Sequence, residues 1–363
     1  MDAIGAPAGA IDTFPKLLDR NAKEFGASPA YREKEFGIWQ TENWVETRER
    51  VRAFAMGLMA LGLQRQEHVA IIGTNRPALY RAIVAAQCIG GIPVPVYSDS
   101  VAEEMAFVLD HCGATFAVVE DQEQVDKLIE VSEQLPALRK IVYLDPRGLR
   151  KYDHTNMHAY SEVMELGRAE AGRLEAATDA IIAGTSGHDI CVMLYTSGTT
   201  GRPKGVVLSN DNVIKTAAAA AGVDRLTRQD QVLAYLPIAW VGDFIFSLGQ
   251  AYWTGFCVSC PERADTMRAD LQEIGPSYFF APPRIFESLL TSVMIRMEDA
   301  GPVKKWLFKH FMEIARRVGP ALLDGRPVRL MDRLAYGLGD LLIYGPLKNS
   351  LGLLRIRVGY TAG

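Results

Sequence analysis

Cysteine is scarce in this 363-residue chain: five residues, an odd number, set among apolar neighbours (Cys88, Cys112, Cys191, Cys257 and Cys260). That excludes a small disulfide-stapled scaffold and points to a reducing, cytoplasmic setting. Cys257 and Cys260 have CxxC spacing, but no second pair or histidine stands near them. Phe256, Val258 and Pro261 predict the end of a buried strand there, and we expect neither zinc nor redox chemistry. Uninterrupted apolar runs of membrane-spanning length are missing, as is a basic start followed by a hydrophobic stretch, so neither a span nor a signal peptide is expected. Excess positive charge is missing too. With 39 Lys and Arg against 43 Asp and Glu, the net charge is −4, which argues against nucleic acid as the main partner. There is no internal repeat, and no low-complexity tract beyond the alanines at 217–221.

What is present is an alternation of strand and helix signals. Trp44, Val51, Phe54, Leu58 and Leu61 recur at helical spacing, and Gly62 can end that helix. Strands are predicted at 68–72, 92–96, 115–119 and 140–143, with helices at 77–88, 103–111 and 122–134 between them. Such alternation implies a mainly parallel sheet covered on both faces. Residues 146–188 read as a connection holding one helix near 160–172. His154 and His158 stand four apart, but no glutamate or third ligand completes a metal site, and Asp153–Asn156 favours a turn. Further on, helices are expected at 211–221, 244–252, 267–274 and from 283, and strands at 231–236, 255–259 and 278–281. Residues 303–318 form an amphipathic stripe (Val303, Leu307, Phe311, Ile314, Val318) with Trp306 beside it and a basic opposite face. That pattern suits either packing on the body of the protein or peripheral contact with a membrane.

The stretch Tyr195-Thr-Ser-Gly-Thr-Thr-Gly-Arg-Pro-Lys-Gly205 concentrates hydroxyls, glycines and one lysine directly after the apolar run 190–194. Glycine lets backbone N–H groups approach a ligand, hydroxyls add compact donors, and Lys204 adds full charge: together, a phosphate cradle. The Walker A spacing fails, because Gly198 and Gly201 are three apart and Pro203 precedes Lys204. Val206–Leu208 read as a strand, so the loop is expected to join two strands, which a plain flexible linker would not need.

This stretch resembles the phosphate-loop signature of the adenylate-forming superfamily, which includes acyl-CoA synthetases, luciferases and peptide-synthetase adenylation domains. Other segments agree in order: Cys88-Ile-Gly-Gly-Ile-Pro-Val-Pro95, Leu208-Ser-Asn-Asp-Asn-Val213, Tyr235-Leu-Pro-Ile-Ala-Trp-Val-Gly-Asp243 and Ala281-Pro-Pro-Arg-Ile-Phe-Glu287. Long-chain fatty acyl-CoA synthetases are most similar, since they too carry an insertion like the one between Arg284 and Tyr360. Trp240 departs from the pattern, standing where many long-chain members have histidine. It would either narrow the acyl path or pack in the core.

The resemblance implies an α/β fold: the large N-terminal domain of adenylate-forming enzymes, with parallel-rich sheets flanked by helices in layers. Residues 41–185 would form its first part and 186–363 its second, with the phosphate loop and acyl pocket. It implies ATP and Mg2+ as cofactors and coenzyme A as co-substrate, with a fatty acid activated as acyl-adenylate and passed to the thiol. Thr196 and Lys204 would be the catalytic pair. Thr196, Ser197, Gly198, Thr199, Thr200, Gly201 and Lys204 would bind the ATP phosphates, with Thr196 on magnesium. Trp240, Val241 and Phe244 would line the acyl path. It also implies that the chain is truncated at the strand leading into adenine recognition, leaving out the magnesium-binding glutamate and the small C-terminal domain. Three alternatives stay open beside the acyl-CoA ligase: a nucleotide- or acyl-binding fragment without turnover, another adenylate-forming ligase, and a P-loop NTPase, against which the failed spacing counts.

Overall fold

The structure, a computed structural model, describes residues 11–196 and 202–361. They fall into two compact units. The first runs to Asp230 and resumes over Ala234–Glu262; the second comprises Gln231–Leu233 and the chain from Arg263 onward.

The first unit is built on a five-stranded sheet in the order Ile92–Val96, His68–Ile72, Ala114–Val119, Lys140–Tyr143, Met157–Ala159, with every pair parallel. Its central strands are apolar on both faces, as a sheet covered by helices requires. The expected helices appear as Trp44–Ala60, Pro77–Cys88, Ala102–Cys112 and Gln122–Glu130. Asn43 caps the first of these: its Oδ1 accepts from Glu46 N–H while the Glu46 carboxylate accepts from Asn43 N–H, each at 2.9 Å. Gly62 follows with φ +95, ending the helix as expected.

Three features go beyond the sequence reading. Phe14–Glu24 is a helix, and Pro29–Glu35 with Ile38–Asn43 forms an antiparallel hairpin turning on Phe36 and Gly37, both at positive φ. The connection after 146 holds two helices rather than one, Tyr160–Ala169 and Ala171–Gly184, broken at Glu170. Met157–Ala159 adds the last strand to the sheet. The turn at 153–156 forms as read, with Asp153 Oδ1 accepting from Thr155 N–H at 2.9 Å. His154 faces the Leu149 carbonyl at 3.1 Å, and no cluster of metal-ligating side chains occurs among the described residues.

Cys257–Cys260 is a fully buried strand, paired parallel to Pro29–Glu35 with Tyr31 opposite Val258. Burial pushes the Cys257 thiol up to about 11 and the Cys260 thiol well above its usual range, so both stay protonated and unreactive.

In the second unit, Gln231–Leu233, Tyr278–Phe280 and Val358–Tyr360 pair in parallel, with Tyr278–Phe280 in the middle. Helices Pro283–Glu298, Pro302–Leu323 and Leu330–Gly339 lie between the last two of these strands in the chain. The amphipathic stripe turns inward over most of its length: Phe311, Ile314 and Val318 are buried against Tyr344, whereas Val303 and Trp306 stay exposed.

Candidate functional site

The glycine-rich stretch is carried by a β-hairpin. Ile190–Thr196 pairs antiparallel with Lys204–Ser209, as expected of a loop joining two strands. Thr196 and Lys204 are register partners at its mouth, and both are exposed. Side chains directly opposite in an antiparallel pair share a face, so a hydroxyl and an ammonium group stand together where the loop begins and ends. Ser197, Gly198, Thr199, Thr200 and Gly201 lie outside the described residues.

The next pair, Tyr195 and Gly205, fixes the hairpin. Tyr195 is buried in the core cluster of the five-stranded sheet beside Val96, Met105 and Cys112. Its hydroxyl lies 2.7 Å from His111 Nδ1. Any side chain at Gly205 would meet the Tyr195 ring and Met193 Sδ at 3.2 Å, which accounts for glycine after Lys204. The Arg202 guanidinium lies 5.8 Å from the Phe107 ring centroid.

Ser209 ends the hairpin and caps Asn210–Asp224. Its Oγ accepts from Asn212 N–H at 3.2 Å, and Asn212 Oδ1 accepts from Ser209 N–H at 3.0 Å. The Leu-Ser-Asn-Asp-Asn run is thus a helix start. That helix packs on the helical stretch that follows 235–240: a Cβ on Gly249 would lie 3.1 Å from Ala217 Cβ.

The segment 235–243, expected to lead into the acyl path, enters a continuous helical stretch, Val241–Asp243, Phe244–Gly249 and Gln250–Thr254. Its middle is a π turn, in which Gln250 N–H donates to the Ile245 carbonyl five residues back. Of the three candidate acyl-lining residues, Val241 is exposed and Trp240 is half-buried, folded over Gly242, where any Cβ would strike the indole. Phe244 is fully buried, edge-on to Phe14 with ring centroids 6.0 Å apart.

Sequence reasoning passed over Asp243. It is buried, and three donors converge on its carboxylate: Tyr80 OH at 2.6 Å, Ser247 Oγ at 2.8 Å and Asn75 Nδ2 at 3.3 Å. Asn75 Nδ2 also donates to the Leu236 carbonyl at 2.9 Å, so one amide ties both ends of the segment 236–243 to the turn before Pro77–Cys88. Leu236 is thereby drawn off the strand predicted through it, which ends at Leu233. Burial pushes the Asp243 carboxyl up to about 7 against the opposing pull of its donors, and Tyr80 well above its usual range. The sequence signal was an acid immediately before the apolar run 244–248.

Parallel strands flanked by helices, with a hairpin that carries Thr196 and Lys204 at its mouth, define an α/β domain. Residues 18–329 match the AMP-binding enzyme family, and the chain belongs to it. Among curated relatives, the long-chain-fatty-acid–CoA ligase ACSBG2 of Xenopus laevis is 29% identical over 357 residues, which are 96% of this chain and 47% of that protein. The ACSBG2 ligase of Rattus norvegicus is 28% identical over 349 residues, 94% of this chain and 51% of its own. The chain therefore spans about half the length of the curated relatives it matches. Among solved structures, a long-chain-fatty-acid–CoA ligase from Archaeoglobus fulgidus superposes with TM-score 0.65 at 19% identity, covering 80% of this chain and 54% of that one. The N-terminal domain of FACL13 from Mycobacterium tuberculosis gives 0.61 at 23%, covering 76% and 64%. These superpositions establish the fold: the α/β N-terminal domain of adenylate-forming enzymes, with parallel-rich sheets flanked by helices.

Proposed function

We propose that this chain is the N-terminal part of an ATP-dependent acyl-CoA synthetase that activates a long-chain fatty acid as acyl-adenylate and passes it to coenzyme A. The observation that carries the reading is the hairpin mouth, where Thr196 and Lys204 present a hydroxyl and an ammonium side by side, both open to solvent. A polyphosphate fits that pair, since it needs donors and positive charge on one face. Thr196 would also hold magnesium, which when bound supplies further neutralisation of phosphate charge. Lys204 positions and neutralises the β- and γ-phosphates. The loop residues Ser197, Gly198, Thr199, Thr200 and Gly201 are assigned to the same task. Catalysis is then mainly positioning and charge stabilisation.

Trp240 and Val241 flank the acyl entrance, with Phe244 behind them, and Asp243 holds the segment in place. A chain in an apolar path is held by about 0.8 kcal/mol per buried methylene. Five buried, unpaired cysteines support a reducing, cytoplasmic location. A fatty acid substrate supports peripheral contact with the inner face of a membrane.

Lys204→Ala is expected to weaken ATP binding by the 363-residue chain about 10- to 100-fold, the worth of one charged hydrogen bond to phosphate. Palmitate binding, read on the same samples, should stay within about twofold. Calorimetric titration with ATP checks this, and an unchanged dissociation constant removes Lys204 from the site. A second reading is nucleotide and acyl binding without turnover. Palmitate-dependent exchange of pyrophosphate into ATP separates the two: we expect little on this chain alone, and brisk exchange would reject the non-catalytic reading.

A further inference from the structure

The helix Leu330–Gly339, continued through the turn Asp340–Tyr344, is apolar on two faces. One face packs inward through Ala335, Tyr336 and Tyr344 onto Phe311, Ile314 and Val318. The other carries Leu330, Leu334, Leu338 and Leu341 at relative exposures of 72%, 60%, 50% and 73%, with Met331 and Leu342 beside them. Spacings of four, four and three residues make one stripe along about 17 Å of helix. A helix apolar all round is ordinarily covered on all sides, and a row of solvent-facing leucines marks an interaction surface.

Charge says what covers it. Residues 301–350 hold nine Lys and Arg against four Asp and Glu, inside a chain of net charge −4. The two acids of the striped segment are already neutralised: Asp332 by Arg317 at 2.8 Å and Asp340 by Lys348 at 2.9 Å. Arg329 and Arg333, at the head of the stripe, have no acidic partner among the described residues. Pairing two copies face to face would bring these like charges together, whereas lipid headgroups of negative charge above hydrocarbon satisfy both the arginines and the leucines. No helix among the described residues is long and apolar enough to cross a bilayer, so the segment lies on the surface.

We propose that the leucine stripe of 330–342, rather than the inward-turned stripe of 303–318, seats this chain on an anionic lipid surface. It rests on the acyl-ligase reading only for its purpose, which is access to a substrate dissolved in lipid.

The test is co-sedimentation of the 363-residue chain with vesicles of phosphatidylcholine and phosphatidylglycerol, or of phosphatidylcholine alone, without nucleotide. Binding is expected to the mixed vesicles and at least tenfold weaker to the neutral ones. Leu334→Asp, Leu338→Asp and Leu341→Asp together should lower binding at least tenfold with the circular dichroism unchanged. If that variant does not fold, the same three positions changed to Gln give the same readout. Arg329→Gln with Arg333→Gln should remove most of the salt dependence. Unchanged binding in the leucine variant overturns the proposal. So does a wild-type chain that ignores anionic vesicles, or a dimer in sedimentation velocity that the leucine changes abolish. ATP titration on the same preparation keeps the two readings apart: vesicle binding without ATP binding rejects the ligase site alone, and the reverse rejects the lipid surface alone.

Discussion

Asp243→Asn is expected to flatten the pH dependence of stability, making the variant less sensitive to alkali than the parent chain between about pH 4 and about pH 7. The reason is the direction of the Asp243 shift. In the folded chain its carboxyl titrates at about 7, well above the usual carboxylate range, because burial penalises the charged form more than Tyr80, Ser247 and Asn75 reward it. The folded state therefore holds a proton that the unfolded state releases near pH 4. Stability from this group is fully present below the unfolded value and is lost as pH rises through 7. A shift of about three units sets the loss at about 4 kcal/mol, an upper figure for one group. Asparagine keeps the shape and stays neutral, so the loss disappears. Urea unfolding of both proteins across this range measures the difference. Parallel curves would mean that Asp243 is ionised throughout and that its three donors outweigh its burial.

The consequence reaches the segment 235–243. Above neutrality, a charge on Asp243 strengthens its bonds to Tyr80 and Ser247 yet strains the apolar surroundings. Cys260 stands nearby with its thiol pushed well up, and Glu33 and Arg76 lie beyond it. The segment bearing Trp240 is thus anchored through a group whose charge changes near neutral pH.

Much of the frame was legible in the sequence because it is written in local pattern. His68–Ile72 and Ile92–Val96 are short apolar runs between turns, and both became strands of the five-stranded sheet with the predicted limits. The hairpin was legible for a chemical reason: a glycine and hydroxyl stretch with Lys204, between two β-branched runs, fits no helix. Ala171–Gly184 was not legible. Its alanines blur the helical stripe, and only Leu174, Thr178 and Ile182 are buried. Phe14–Glu24 carries Pro15 in its first turn and has no capping side chain, and its partner for burial, Phe244, lies more than two hundred residues away. Asp243 was hidden the same way. Its partners Asn75 and Tyr80 lie 168 and 163 residues earlier, and no local period announces a contact at that separation.

Helix crossing supplies the second large effect. Trp44–Ala60 and Tyr160–Ala169 meet through Gly57 and Gly167. A Cβ on Gly167 would overlap the Ala53 carbonyl oxygen, and one on Gly57 would overlap that of Val163. Both obstacles are backbone, so no rotamer change relieves them and the helices must separate. Gly167→Val is therefore expected to destabilise the chain by about 3 kcal/mol or more, at or beyond the upper end of ordinary overpacking. That corresponds to a fall in Tm on the order of 10 °C for a unit of this size. Gly172→Ala is the control: it is also helical, yet nothing lies within 4 Å of its added methyl. There the substitution removes chain freedom from the unfolded state, and a gain of roughly 0.5 kcal/mol is expected. Thermal melts of the two variants decide the matter. Equal and small changes would mean that the two helices slide past each other freely and that their glycines set no distance. Opposite signs would show a contact distance fixed by two missing side chains, holding the cover of the sheet on which the hairpin is anchored.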